Sequence, residues 1–461
     1  MKFPNKVDII VIGAGPAGLT AACAASKHGA QVVLIDEQAS PGGQIYRNVT
    51  NSIPEINSIL GGEYEYGAGL INCIPNKEIK YYSKSTVINI DNELYVTVSS
   101  NNKLHQIKAR HIILATGAME RPVPTPGWTL PGVMTVGAIQ ILIKSARIIP
   151  SEAVLVGSGP LLYLTAVQMI SAGKPPKALI ETQTIGNYVS ALPHLARAIL
   201  NYKQILKGVG LINLIHKGGV QRFIASNDIN ILGTANAESI TFSSGGVKHE
   251  IHSGEIFLHQ GVVPSIQISK LLKLKHNWNP VQRYFYPVTD RYGLSSKEEI
   301  SVVGDGGGIF GAKSAELSGQ ISALKVLEVL GFINKKTLDE GTRPLMLKRF
   351  NEESPRKFLD ALYAPPKYLF NPLDETIVCR CENITAQEIR RYISKGCTEI
   401  RQIKAQSRCG MGHCQGRYCG ATLTEIVSAE TNSNPQDVGY YNIRAPIKPV
   451  TLKELASHNS K

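Results

Sequence analysis

Apolar positions along the chain fall into two similar cycles. In the first, Val7–Ile12 (VDIIVI) is a short buried run and Gly13–Gly18 a glycine turn. Ala17–His28 then places alanines at helical spacing, and Gln31–Ile35 (QVVLI) is a β-branched run, so the reading is strand, turn, helix, strand. Ile79–Ile90 and Leu94–Val98 alternate as a small antiparallel excursion, and His111–Ala115 is a further buried strand ending in Thr116-Gly117. The cycle restarts with Ala153–Val156 as strand, Gly157–Pro160 as turn, Leu161–Ala172 as helix and Lys177–Glu181 as strand. Ile300–Val303 is one more apolar strand, closed by Gly304-Asp305, and Ala312–Leu330 predicts a long amphipathic helix. Thr342–Pro372 carries Pro344, Pro355, Pro365, Pro366 and Pro372 with few periodic apolar positions, so it reads as a connector. Two strand-glycine-helix starts in one chain predict an α/β protein with two Rossmann-like, dinucleotide-type domains.

Composition narrows the class. At 461 residues the chain is too long for one core, and 43% hydrophobic with 18% charged residues describes a folded globular protein. No apolar run reaches the length of a membrane span. The apolar opening of Met1–Gly18 is interrupted by Asp8 and leads straight into the glycine turn, so no export signal is read and the expected location is cytoplasmic. The net charge of +13 resolves into no basic block and no interleaved aromatics, so nucleic acid is not an expected partner. A basic face for an acidic electron-transfer partner, or for peripheral docking on a membrane, stays open. Of eight cysteines, six (Cys379, Cys381, Cys397, Cys409, Cys414, Cys419) crowd near the C-terminus, which excludes a secreted disulfide scaffold and asks for a local explanation.

Gly13-Ala14-Gly15-Pro16-Ala17-Gly18 is GxGxxG where its mechanism needs it. Gly13 permits the tight turn, Gly15 lets backbone approach a pyrophosphate, and Gly18 lets helix and strand pack closely. Pro16 and Ala17 open the helix, whose N-terminus attracts phosphate. Asp36, 18 residues beyond Gly18, ends the second strand where a carboxylate binds ribose hydroxyls; Glu37 is the adjacent candidate.

The second turn, Gly157-Ser158-Gly159-Pro160-Leu161-Leu162, has Leu162 where the third glycine belongs. A leucine there is expected to push helix from strand and to sit near the pyrophosphate path. Glu181 remains a ribose candidate, and the domain reads as a nucleotide fold with weakened or altered binding. No Cys-x-x-Cys pair occurs in it, which excludes disulfide reductase chemistry. No catalytic general base is visible. His111 reads as a core residue, and His259 lies at a strand-to-turn transition.

Cys379-Arg-Cys381 and Cys414-Gln-Gly-Arg-Tyr-Cys419 give C-x-C-x32-C-x4-C, two close thiolate pairs suited to an iron–sulfur cluster or to zinc. The tight C-x-C tilts the choice toward iron. Cys409, evenly spaced with Cys414 and Cys419, is a rival ligand, and Cys397 reads as a core thiol. Gly410, Gly412, Gly416 and Gly420 would let backbone N–H groups approach the sulfurs, while Arg380, Arg408, His413 and Arg417 would offset a negative cluster.

These motifs carry resemblances. Pro41-Gly42-Gly43-Gln44, Ala115-Thr116-Gly117 and Gly304-Asp305, in that order after the first glycine turn, resemble the two-domain flavoproteins of the pyridine nucleotide–disulfide reductase superfamily. Residues 377–427 resemble the BFD-like 2Fe–2S domain, and the whole order resembles the α subunits of heteromeric amine and amino-acid dehydrogenases. That group includes opine oxidases, hydrogen cyanide synthase and dye-linked proline and hydroxyproline dehydrogenases. The resemblance implies FAD bound by Gly13, Gly15, Pro16, Ala17, Gly18, Asp36, Glu37, Gly43, Gln44, Ala115, Thr116, Gly117, Gly304 and Asp305. It also implies a 2Fe–2S cluster on Cys379, Cys381, Cys414 and Cys419. It divides the chain into an FAD-binding domain (1–145 and 255–335), an inserted NAD-like domain (146–254), a connector (336–375), the BFD-like domain (376–430) and a tail (431–461). Implied partners are an amino-acid-oxidase-like flavoprotein β subunit, joined in some members by a small ferredoxin-like γ subunit. An extra FMN between subunits, or an adenine nucleotide (ATP or NAD) in the second domain, is left open. The implied role is transfer of electrons from C–N bond oxidation in the partner to an acceptor. The alternative is a stand-alone NAD(P)H-dependent flavin and iron–sulfur oxidoreductase, against which Leu162 counts.

Overall fold

The computed structural model describes residues 3–458; residues 1–2 and 459–461, the outer ends of the expected FAD-binding segment and of the tail, lie outside the described residues. The first cycle builds a seven-stranded sheet. Ile79–Tyr82, Val32–Ile35, Lys6–Ile12 and the C-terminal half of Lys103–Leu114 run parallel, and Ile300–Val302 returns from far along the chain to pair with Ile112–Leu114. All four residues of Val32–Ile35 are buried, because the parallel part of the sheet is covered on both sides. The run at 79–90 divides instead of forming one antiparallel excursion. Ile79–Tyr82 joins the parallel strands, while Thr86–Ile90 and Tyr95–Ser100 pair antiparallel ahead of Lys103–Leu114.

Helices Pro16–Lys27 and Ala312–Val329 lie against one another and against this sheet. Their approach is close: Thr20 donates to the Glu316 carbonyl at 2.8 Å, and a Cβ on Gly319 would run into the carbonyl of Ala17. A disulfide joins Cys23 to Cys73, the two cysteines outside the C-terminal group.

The second cycle builds an all-parallel sheet in the order Gln221–Phe223, Ala178–Glu181, Val154–Ser158, Ile256–Gln260, Val133–Thr135, so the second domain takes in residues 133–145 and 256–260, outside the expected 146–254. Between the first two of these strands the chain inserts the helices Ile185–Ala191, Leu195–Ala198 and Tyr202–Lys217. Leu162 points into the core with Leu155, Ala166 and Phe257, fully buried, so it does not sit in a phosphate path as its position in the motif suggested. The proline-bearing segment is largely helical, with Lys335–Glu353 and Arg356–Leu362. Asn334 caps the first of these by accepting the Thr337 N–H at 2.9 Å, and Leu338 and Thr342 are buried one turn apart on the same face. Packing of that face against Ala312–Val329 carries the helix past Pro344 despite the lost backbone bond.

The cysteine-rich segment forms a lobe of helices Ala386–Ser394, Ile400–Ser407 and Gly420–Thr431 behind the short strand Ile377–Cys379. It is not a detached module. Ile389, Ile403, Leu423 and Ile426 share one continuous core with Ile10, Ile107 and Ile112 of the first sheet. The tail then runs back across the first domain: Ile447 N–H donates to the Ile88 carbonyl at 3.0 Å, and Glu454 accepts from Ser99.

Lys144 is buried where the first domain's 41–47 loop meets the second domain. Its ammonium donates to the Ile45 carbonyl at 2.9 Å, the Gln44 carbonyl at 3.2 Å and Gln140 Oε1 at 3.1 Å. Burial first, and Arg47 second, push it down to about 7. Between pH 7 and the ordinary 10.5 the unfolded chain therefore holds a proton that the folded chain has released, so stability rises with pH across that window and the strain of the buried charge is felt in full below it. Urea midpoints should climb between pH 7 and 10.5 in the wild type, with the climb flattened in Lys144→Met; parallel slopes would exclude Lys144 as the source.

Candidate functional site

The strand ends of the first sheet bring the glycine segments into one place. A Cβ on Gly13 would strike the Ala115 carbonyl, and one on Gly18 the Gly13 carbonyl, so these two positions admit only glycine. Gly15 lies against Gly43, whose Cβ would fall 2.8 Å from the Gly15 Cα. Gly304 meets Ala17 in the same way, at 2.8 Å from its Cβ, and Gly306 meets the Thr116 hydroxyl at 3.1 Å. Gly117 adopts φ 62° beside them. Four segments separated by up to 290 residues thus converge on the start of helix Pro16–Lys27 (Gly13–Gly18, Gly42–Gln44, Ala115–Gly117, Gly304–Gly306). The first internal helical bond is Leu19 N–H to the Gly15 carbonyl at 2.9 Å, which leaves the Ala17 and Gly18 N–H groups facing out of the turn. This is a cradle of backbone donors that any Cβ would fill, and it fits a pyrophosphate.

The two acids at the end of Val32–Ile35 have different environments. Asp36 is buried, with Oδ2 accepting from Ala14 N–H at 2.6 Å and Oδ1 from Gln38 N–H at 2.7 Å. Burial raises its pKa, against the lowering pull of those two backbone bonds. Glu37 is half exposed and is held by Lys448 of the tail at 2.8 Å. Gln44 accepts from Arg47 at 2.9 Å. Asp305 Oδ1 takes the N–H groups of Phe310 and Gly311 at 2.9 and 3.0 Å, which folds the glycine-rich turn back so that helix Ala312–Val329 begins beside it.

In the second domain Glu181 is buried and already bound. It takes a bond from the Tyr163 hydroxyl at 2.6 Å and an ion pair from Arg222 at 2.7 Å. His259, equally buried, is oriented by Glu120 at Nδ1, 2.7 Å away, and its Nε2 side lies against Gly159. His111 is a core residue, bonded to Ser301 at 2.8 Å and pushed down to about 3 by burial.

Five cysteines gather in the C-terminal lobe. The sulfurs of Cys379, Cys409 and Cys419 all lie within 4.8 Å of one another. Cys381 is set against Cys414 instead, its thiol pKa raised by burial. The expected quartet is thus split between two groups, with Cys409 brought in beside the first. Cys379 is pushed down to about 2, by hydrogen bonds from Cys409 and then Cys419, and accepts N–H bonds from Gly410 and Glu382; the thiols of Cys409 and Cys419 rise correspondingly. Thiols this close ionise together only around a cation, which is the donor chemistry of iron or zinc, and Cys409 and Cys419 compete for the place beside Cys379.

Of the four glycines, Gly410 has the N–H role expected of it, but all four also make room. Gly410 and Gly416 accommodate the ring of Tyr441, Gly420 that of Tyr440, and Gly412 the side chain of Cys381. The Tyr441 hydroxyl lies 3.4 Å from the sulfurs of both Cys409 and Cys419. Sequence reasoning missed these two tail tyrosines, and the crowding of glycines was the one signal pointing to them. The arginines expected to offset a cluster are engaged elsewhere: Arg408 with Glu382 at 2.8 Å, Arg417 with the Ile447 carbonyl at 3.0 Å, and Arg380 over the Trp128 ring at 5.7 Å.

Residues 7–319 match the pyridine nucleotide-disulphide oxidoreductase family, and residues 374–459 match the sarcosine oxidase A3 domain. The chain is 43% identical to an opine oxidase subunit of Rhizobium meliloti, over 97% of this chain and 87% of that one. It is 28% identical to hydrogen cyanide synthase subunit HcnB of Pseudomonas aeruginosa, over 96% of each. Among solved structures, L-proline dehydrogenase from P. horikoshii shares the fold, with a TM-score of 0.69 at 20% identity over 98% of this chain and 79% of that one.

Because Asp36 braces the turn from below while Glu37 only faces it, the two should separate on substitution. Asp36→Ala strands two backbone donors and should cost about 1–3 kcal/mol in urea unfolding of the ligand-free protein. Glu37→Gln should leave that stability within about 0.5 kcal/mol of wild type.

Proposed function

The chain belongs to the pyridine nucleotide-disulphide oxidoreductase family, an oxidoreductase family, and from that premise we propose that it is the FAD- and 2Fe–2S-carrying α subunit of a heteromeric amine or amino-acid dehydrogenase. A partner flavoprotein would oxidise the C–N bond, in an opine-, proline- or glycine-type substrate, and this chain would relay the electrons to an acceptor. The observation that carries the reading is the thiol lobe built into the same core as the glycine-turn sheet, in a chain similar over nearly its whole length to an opine oxidase subunit.

The residues divide the work. Ala17 and Gly18 N–H groups, with Gly15 and Gly43 giving access, would hold the FAD pyrophosphate. Glu37 would take the ribose, with Asp36 as the positioning residue that fixes the turn. Ala115, Thr116, Gly117, Gly304 and Asp305 would line the flavin end, where the helix starting at Ala312 supplies a positive dipole end. Cys379 with Cys419, and Cys381 with Cys414, make two thiolate pairs suited to a group with two metal positions, Cys409 standing beside the first pair. FAD and a 2Fe–2S cluster together supply the conversion of two-electron input to one-electron output.

The stand-alone NAD(P)H reading is disfavoured by Glu181, which Arg222 and Tyr163 occupy. A nucleotide resting on Gly159 and His259 would meet a carboxylate that is buried and already holds three hydrogen bonds, whereas Glu37 is half exposed.

Cys379→Ser and Cys414→Ser should each lose iron and acid-labile sulfide while keeping a full complement of FAD, and Cys409→Ser should keep both. Unchanged iron in the first two would reject the ligand set. Purification of the tagged chain from its native host should yield a second flavoprotein in stoichiometric amount; its absence would reject the α-subunit reading.

A further inference from the structure

The helices inserted between Glu181 and Gln221 turn their apolar faces outward. Ile185, Tyr188, Val189 and Leu192 recur at the spacing of one helical face, yet they are 79, 54, 60 and 61% exposed. Ile199, just ahead of Tyr202–Lys217, and Tyr202, Leu206 and Val209 along it repeat the pattern and are 55, 54, 61 and 49% exposed. The opposite sides carry the contacts with the rest of the protein. Ala191 and Ala198 are buried, Ile215 packs into the second-domain core, and Asn187 donates to the Ala364 carbonyl at 3.2 Å. A helical stripe of this kind normally faces a core, and a contiguous apolar patch on a folded surface marks a binding face.

The charges within this segment have one sign, while Glu63 and Glu352 border it. Residues 182–227 contain Arg197, Lys203, Lys207, Lys217 and Arg222 and no Asp or Glu. Arg222 is committed to Glu181 and Lys207 to Glu63, and Arg197 covers the Phe350 ring, which leaves Lys203 and Lys217 beside the stripe. Glu352, at the border, accepts from Gln204.

We propose that this face, residues 185–217, docks the protein peripherally on an anionic lipid surface, the apolar stripe entering the headgroup–acyl boundary and the lysines meeting lipid phosphates. Two observations favour lipid over protein. Six of the eight stripe residues are Ile, Val or Leu, with Tyr188 and Tyr202 the two aromatics, and lysine, which protein interfaces deplete, flanks them. A second copy would set the same cations against each other.

Flotation of the purified full-length protein with vesicles tests this. It should rise with phosphatidylcholine vesicles containing phosphatidylglycerol and not with phosphatidylcholine alone, and added salt should release it. Leu192→Glu with Leu206→Glu should cut binding at least about tenfold, and Lys203→Glu with Lys217→Glu by a similar factor. All four positions are on the surface, so circular dichroism and bound flavin should be unchanged and a folding defect is separable. The proposal is overturned if the wild type does not float, or if the leucine pair floats equally well. It is also overturned if the leucine pair abolishes self-association, or capture of a co-expressed partner flavoprotein, in a wild type that ignores anionic vesicles.

Discussion

The backbone contact around Ala17 is the constraint on which the rest of the molecule depends. Gly13 against the Ala115 carbonyl, Gly18 against Gly13, Gly304 against the Ala17 methyl and Gly319 against the Ala17 carbonyl are four approaches with no room for a side chain. Each is short because the helix at Pro16 must start directly at the strand ends for its free N–H groups to converge. The consequence is long-range. Residues 300–329 have to return to a site laid down by residues 7–36, and the second domain is the excursion the chain makes between those two visits. Adding one methyl at Gly18 would push the helix off the turn and strand before it, and one at Gly319 would separate the two helices.

The thiol lobe inherits its position from the same sheet. Its helices are buried on the face opposite the first helix, so the lobe cannot shift without uncovering Ile10, Ile107 and Ile112. The tail ties both ends of this arrangement. Tyr440 and Tyr441 fill the space left by Gly410, Gly416 and Gly420 around the sulfurs, and a few residues on, Lys448 reaches Glu37 at the glycine-turn cradle. A single strap of about 10 residues thus contacts both sites, from position 440 to 448.

What could be read in the sequence was what local physics decides. GxGxxG between a buried strand and a helix, the acidic strand end, and the second cycle are short-range patterns, and the structure places each as a strand, turn or helix where the pattern put it. Misreadings occurred where tertiary contact overrode local preference. Pro344 suggested a connector, but docking on Ala312–Val329 sustains a helix through it. Leu162 suggested a blocked phosphate path, but its rotamer buries it in the core. Which sulfurs stand together was beyond spacing, because Cys409 is carried to Cys379 by the fold of the 380–408 helices and not by its distance along the chain. The outward stripe at 185–192 is indistinguishable from a core-facing one until the partner helices are known.

The second domain carries a nucleotide-type fold whose strand-end acid is already engaged. Its strand-end acid survives, but Glu181 is sealed by Arg222 and the Tyr163 hydroxyl, and a buried pair of this kind is strongly destabilising to break. An acid so engaged would have to give up part of this pairing to turn toward a ribose hydroxyl, and that cost would come out of nucleotide affinity. The sheet beneath is nevertheless intact, with five parallel strands and a fully packed core. It also makes two structural contributions. Through Lys144 and Gln140 it grips the 41–47 loop that places Gly43 over Gly15, and through Tyr202–Lys217, packed on its outer helix, it presents an apolar and cationic face to the outside. Because Gly43 of that loop lies against Gly15, a shift of the Lys144 contact would be felt at the first glycine turn, which ties the second fold to the first.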